Sequence, residues 1–170
     1  KSYLKKSLEE SLKRLGVDQV ELYYIHRREV ERPIEEVTQT LSDFVKEGKI
    51  NQIGFSEIAP SSLNKASKIF PIGAIQSEYS LSTRYPELGL LQKSEEIKAT
   101  LVAFSPLGRS LLTDEPHNFK KAQTLNLLKE NPRFLEPNLT QNIKITDFFR
   151  SLASDMGISS AALAIAWLLN

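Results

Sequence analysis

The chain has 170 residues, 41% hydrophobic and 25% charged, the composition of an ordinary globular domain. Its 22 Lys and Arg against 21 Asp and Glu leave a formal charge of +1, with no run of like charge to suggest a nucleic-acid or anionic-lipid surface. Zero cysteines exclude disulfides and thiolate chemistry, two histidines argue against a histidine-rich metal site, and no apolar stretch approaches the ~20 residues of a membrane span. Lys1-Ser2-Tyr3 does not open a signal peptide. The set fits a cytoplasmic protein with no nucleic-acid or membrane partner and no bound metal.

In chain order, Leu4, Leu8, Leu12 and Leu15 predict an amphipathic helix over 3–15, stopped by Gly16 at the usual C-cap place. Val20 to Ile25 reads as a strand ending at His26. Pro33 suits a first helical position, and Ile34, Val37, Leu41 and Val45 form a stripe that Gly48 terminates. Ile50 to Ser56 is the next strand, Pro60 to about Ile69 a helix, and Gly73 to Ser77 a third strand. Residues 87–98 read as a helix and Thr100 to Ser105 as a fourth strand. Residues 106–142 hold Pro106, Pro116, Pro132 and Pro137 and one helical patch near Phe119–Glu130, the pattern of a long inserted loop. A helix pair, 146–156 and 159–169, follows around Gly157 with Ser159 as N-cap.

Strand then helix, four times over, predicts an α/β fold: an open doubly wound sheet or part of an eight-fold barrel. No Gly-rich turn follows the first strand, which weakens the open sheet. Polar residues recur where strands end, at His26, Ser56-Glu57, Gln76 and Ser105, and the carboxyl ends of parallel strands line the ligand site in such folds.

Six stretches carry a resemblance. SLKRLGVDQVELYYIHR (Ser11 to Arg27), PIEEVTQTLSDFVKEGKINQIGFSE (Pro33 to Glu57), IGAIQSEYSLSTR (Ile72 to Arg84), LVAFSPLGRSLL (Leu101 to Leu112), NPRFLEPNLTQN (Asn131 to Asn142) and ALAIAWLL (Ala162 to Leu169) resemble, in order and spacing, the aldo-keto reductases. The Gln76–Leu81 and Asn131–Phe134 stretches are most similar to the branch containing pyridoxal reductase. The resemblance implies a single partial (β/α)8 TIM barrel over residues 1–170, its four parallel strands matching barrel strands four to seven. The chain has no initiator Met. In the family's register it starts near the helix before strand four, so the catalytic Asp, Tyr and Lys of the family would lie outside it.

The implied activity is reduction of a small carbonyl substrate, an aldehyde or ketone, by hydride transfer from NADPH, with NADH left open. His26 is the catalytic candidate: a neutral imidazole can hydrogen-bond the carbonyl oxygen and orient it. Taken alone, a strand-end histidine reads rather as one satisfying local hydrogen bonds; the YYIHR context reverses that reading. Ser56, Glu57 and Gln76 would hold the nicotinamide carboxamide, which needs donors and acceptors matched. Many family members have Asn in place of Glu57. Phe104 corresponds to the ring that stacks on the nicotinamide. Ser105, Leu107, Gly108 and Arg109 resemble a pyrophosphate loop, where a hydroxyl, backbone N–H groups and a cation meet phosphate oxygens. His117 in the loop and Trp167 on an Ala-rich helix read as a solvent-facing residue and as packing. A cofactor-binding regulatory or redox-sensing protein, resembling the potassium-channel β subunits, is the alternative.

Overall fold

A computed structural model describes residues 1–170, which divide into two compact units. One comprises residues 1–77 and 86–102, the other residues 78–85 and 103–170. Four strands, β1 (Val20–Ile25), β2 (Ile50–Ser56), β3 (Ala74–Glu78) and β4 (Thr100–Phe104), form one sheet in the order β1-β2-β3-β4. β1 pairs parallel with β2, and β2 parallel with β3. Spatial order that follows chain order has no reversal point, so of the two architectures open to the sequence the sheet takes the barrel-type one.

In the first unit, α1 (Ser2–Leu15), α2 (Ile34–Lys46), α3 (Pro60–Ser67) and α4 (Leu90–Glu96) accompany these strands. α1 buries Leu8 and Leu12 and ends at Gly16, whose φ of 68° is left-handed as a C-cap requires. Leu15, expected on the same face, is 64% exposed because it closes the last turn, where the chain leaves the core. α2 buries Ile34, Val37, Leu41 and Phe44, a stripe of i, i+3, i+7, i+10 that shares its core with Ile53, Phe55 and Ile75 of the strands, and the half-buried Val45 packs against the same core. Pro33 is its N-cap, one place before the predicted position. α4 is shorter than the predicted 87–98: Tyr85–Glu87 forms a 3₁₀ turn, Gly89 at φ 109° restarts the chain, and Lys98 at φ 57° closes it.

The second unit has its own core. Residues 106–142, expected as a loop, carry 3₁₀ turns at Gly108–Ser110 and Pro132–Phe134, α5 (Phe119–Gln123) and the start of α6 (Asn138–Asp155). Leu111, Ala122, Leu128, Phe134 and Leu139 are buried together there, with Leu125 and Ile143 against them. α6 begins before the predicted 146 because Leu139 and Ile143, four apart, face this core, while the Asn and Thr around them are weak helix formers that mask the period. α7 (Ser160–Leu169) is capped by Ser159, whose Oγ accepts the Ala162 N–H at 3.1 Å. Asp114 Oδ1 also accepts from the Ser160 N–H and hydroxyl, at 2.9 and 2.6 Å. Trp167 packs on Tyr79 with ring centres 5.4 Å apart, and the Arg84 guanidinium lies 5.7 Å from its centre. No single helix is long and apolar enough to cross a membrane.

Candidate active site

The strand register of the first unit places three predicted residues in one row. Ile25 pairs with Phe55 and Phe55 with Ile75, and all three are buried in the apolar core. One residue on stand His26, Ser56 and Gln76, of which Ser56 and Gln76 are direct partners. Side chains alternate along a strand, so Ser56 and Gln76 point to the face opposite the core, while His26 is the exposed residue directly after the end of β1, two strand spacings or about 10 Å from Gln76. The floor beneath it is also ordered by sequence. Tyr24 pairs with Gly54, and Gly54 with Ala74. A Cβ on Gly54 would lie 2.5 Å from the Tyr24 ring, so only glycine lets the ring lie flat across β2. Burial pushes the Tyr24 hydroxyl pKa up, keeping this floor uncharged.

Glu57 follows β2 at φ 54°, a left-handed conformation that costs an ordinary residue about 1–2 kcal/mol and that Asn adopts more readily. Its N–H donates to the Gln76 carbonyl at 2.8 Å, which ties the end of β2 to β3. Its carboxylate accepts from the Ser77 hydroxyl at 3.1 Å and lies 3.7 Å from the Arg27 guanidinium. Glu57 therefore stands beside Ser56 and Gln76 with its carboxylate already engaged.

In the second unit, Phe104 is half-buried at the end of β4, and its carbonyl accepts the Tyr79 N–H at 3.3 Å. The predicted phosphate turn follows. Ser105, Gly108, Arg109 and Ser110 all have positive φ, at 51°, 58°, 55° and 92°. The Gly108 N–H donates to the Ser105 carbonyl at 2.9 Å, and the Ser110 and Leu112 N–H groups both donate to the Leu107 carbonyl. Gly108 is buried, and a Cβ there would lie 2.6 Å from Ser82 Oγ. Arg109, predicted as the turn's cation, is held by Glu78: its Nη2 donates to Oε2 at 3.1 Å. The other oxygen, Oε1, accepts from Arg133 Nη2 at 2.7 Å, while Arg133 Nη1 donates to Thr83 Oγ1 at 2.8 Å. Burial alone would push the Glu78 carboxyl up, but the hydrogen bonds from Arg133 and Arg109 outweigh it and hold the pKa below the ordinary value.

Glu78, Thr83 and Arg133 were not candidates in the sequence, although they lie within the stretches that carry the resemblance. His117, expected to face solvent, is half-buried, with its N–H donating to Ser110 Oγ at 3.0 Å. A cavity of about 360 Å³ in this unit is lined by Leu81, Ser82, Leu112, Arg133, Asn142 and Phe149 among others. A larger recess of about 640 Å³ in the first unit is rimmed by Arg27, Glu29, Arg32, Glu36 and Asp43 and includes none of His26, Ser56 or Gln76.

The donor set of each unit suits part of a nicotinamide dinucleotide. Ser56 and Gln76 are neutral, adjacent and able to donate and accept as a carboxamide requires, and the Ser105–Ser110 turn carries hydroxyls and a glycine at φ 58°.

The model of the aldo/keto reductase family matches residues 1–170. The chain is 35% identical to aldo-keto reductase yakc [NADP(+)] of Schizosaccharomyces pombe over 98% of its own length and 50% of the relative's. It is 38% identical to probable aldo-keto reductase 1 of Glycine max, over 99% and 48%. Among solved structures, the glycerol dehydrogenase AKR11B4 of Gluconobacter oxydans superposes with a TM-score of 0.88 at 30% identity, over 98% of this chain and 51% of that one. An aldo/keto reductase of Klebsiella pneumoniae in complex with NADP and acetate shares the fold, with a TM-score of 0.71 at 23% identity. The chain thus spans about half the length of the curated relatives it matches. With four parallel strands in sequential order and a family match along all 170 residues, it belongs to the aldo-keto reductase family.

Proposed function

We propose that the protein to which these residues belong reduces an aldehyde or ketone to an alcohol with NADPH. The observation that carries this reading is the row His26, Ser56, Gln76 at the carboxyl edge of three parallel strands. When bound, the cofactor supplies a hydride. Ser56 and Gln76 hold and orient its carboxamide, Phe104 offers a ring face, and the Ser105–Ser110 turn binds phosphate. His26 donates a hydrogen bond to the carbonyl oxygen from its imidazole N–H, fixing the carbon for attack and sharing the charge that develops on oxygen. The names of relatives that carry NADP support the choice of cofactor. The substrate is a small carbonyl compound met in the cytoplasm, and the pyridoxal-reductase branch is the nearest guide to its size.

The alkoxide must also receive a proton. No residue of this chain matches the family's acid Tyr or its Lys and Asp partners, so the 170 residues alone should show no turnover. Loss of a general acid alone lowers rate by about 10²–10⁴-fold. The test is NADPH oxidation by the full-length protein with a panel of small aldehydes. His26→Ala should cut kcat/KM by about 10²-fold or more with NADPH affinity nearly unchanged, and Gln76→Ala should weaken NADPH binding first. Wild-type turnover in His26→Ala would remove the catalytic assignment. Tight cofactor binding without turnover in the wild type would favour a sensing role instead.

A further inference from the structure

The turn after β4 raises a question that its proposed role in phosphate binding does not answer. Three of its residues other than glycine, Ser105, Arg109 and Ser110, stand at positive φ, a conformation that persists only where surrounding structure imposes it. Arg109 does not project freely from the turn. Its Nη2 is bound to Glu78, its Nε is buried with no hydrogen-bond partner, and its side chain is only 22% exposed. Glu78 is itself braced by Arg133, whose other Nη reaches Thr83 and whose carbonyl accepts the Asn142 side-chain N–H at 3.0 Å.

We propose that Glu78 is a positioning residue for this turn: one carboxylate, gripping Arg109 and Arg133 on separate oxygens, holds the turn in its left-handed shape before nucleotide arrives. Arg109 is then an internal anchor, and the turn meets phosphate through its serine hydroxyls, its Gly108 and Ser110 N–H groups being held by carbonyls of the turn itself. The inference rests on the reading of Ser105–Ser110 as the phosphate-binding turn. Each guanidinium gives one charge-assisted bond to one carboxylate oxygen, and such bonds are roughly twice as strong as neutral ones.

The test is NADPH titration of the full-length protein by fluorescence, at several salt concentrations, alongside amide exchange of the nucleotide-free protein. Glu78→Gln should raise the NADPH Kd about tenfold, leave kcat at saturating NADPH within about twofold, and speed exchange at the Gly108 and Ser110 amides. Glu78→Asp should recover part of the affinity. Arg109→Gln should weaken binding with the salt dependence unchanged, and in the Glu78→Gln background it should add almost nothing. Additive losses, or a flatter salt dependence in Arg109→Gln, would show a direct phosphate contact and overturn the anchor. A Glu78→Gln protein with lower melting temperature but wild-type affinity and exchange would overturn it equally, as a brace without consequence for the turn. If Glu78→Gln does not fold, the salt dependence of Arg109→Gln decides alone. A wild-type protein that fails to bind NADPH removes the parent reading and this inference together, whereas wild-type binding with an indifferent Glu78→Gln removes only the inference.

Discussion

Gly54→Ala tests the floor of the candidate site with one added carbon. Tyr24 and Gly54 are paired in register, and the new Cβ would lie 2.5 Å from Tyr24 Cδ1 and 2.6 Å from Cε1. Both atoms belong to the ring body, so the ring must rotate or the strands must separate. Overpacking of this kind costs about 1–3 kcal/mol. Against it, alanine in a strand gains roughly 0.5–1 kcal/mol over glycine from the unfolded chain. The net loss expected is about 0–2.5 kcal/mol, read as a fall in melting temperature. The assay is thermal denaturation of the full-length protein, with Tyr24→Ala and the double variant completing a cycle. In the Tyr24→Ala background the obstacle is gone, and Gly54→Ala should be neutral or stabilising, a coupling of about 1 kcal/mol or more. Equal losses in both backgrounds, or a Gly54→Ala protein that melts above wild type, would refute the steric account.

Phe134 is fully buried in the second unit's core, and Phe134→Ala should destabilise by about 3–5 kcal/mol; a shift under 1 kcal/mol in denaturant midpoint analysis would mean that core is loosely packed. Asp114 has its pKa held down by the hydroxyl and N–H of Ser160, so its contribution to stability is present above the unfolded carboxylate pKa of about 3.9 and is lost as pH falls through the lower folded value. Asp114→Asn should therefore melt below wild type near neutral pH and converge with it under acid, and a constant gap across pH would exclude the linkage. Replacement of His26 and Gln76, as set out above, should separate effects on turnover from effects on cofactor binding.

Much of this architecture was legible because local signals agreed. The bounds of β1 and β2 follow from short runs of apolar and β-branched residues between polar breaks, and α1 from leucines at helical spacing with Gly16 behind them. The strand-end residues were also legible as positions. What placed His26 beside Ser56 and Gln76 was the register, which depends on pairing between segments and is invisible along the chain. Glu78 was missed for the same reason. Its partners Arg109 and Arg133 lie 31 and 55 residues away, and a lone Glu after a strand gives no sign of them. The second core was read as loop because prolines and polar residues interrupt its period, although Leu111, Ala122, Leu128 and Phe134 are all buried.

The left-handed residues show why the carboxyl edge repays attention. Apart from Lys98, which closes a helix, every non-glycine residue at positive φ follows the end of a strand: Glu57 after β2, and Ser105, Arg109 and Ser110 after β4. Such conformations are unfavourable for these side chains, so each needs a partner that holds it. Three consecutive residues of β3 supply partners for two of them. The Gln76 carbonyl takes the Glu57 N–H, the Ser77 hydroxyl binds the Glu57 carboxylate, and Glu78 binds the Arg109 guanidinium. The Gln76 carbonyl lies along the hydrogen-bonding direction of the sheet, while the Ser77 and Glu78 side chains alternate to opposite faces. A strand chosen only for packing would not need three polar positions in succession. After the apolar Ala74 and Ile75, the half-buried Gln76 and the buried Ser77 hold the turn that follows β2, and Glu78 holds the residue that shapes the turn after β4.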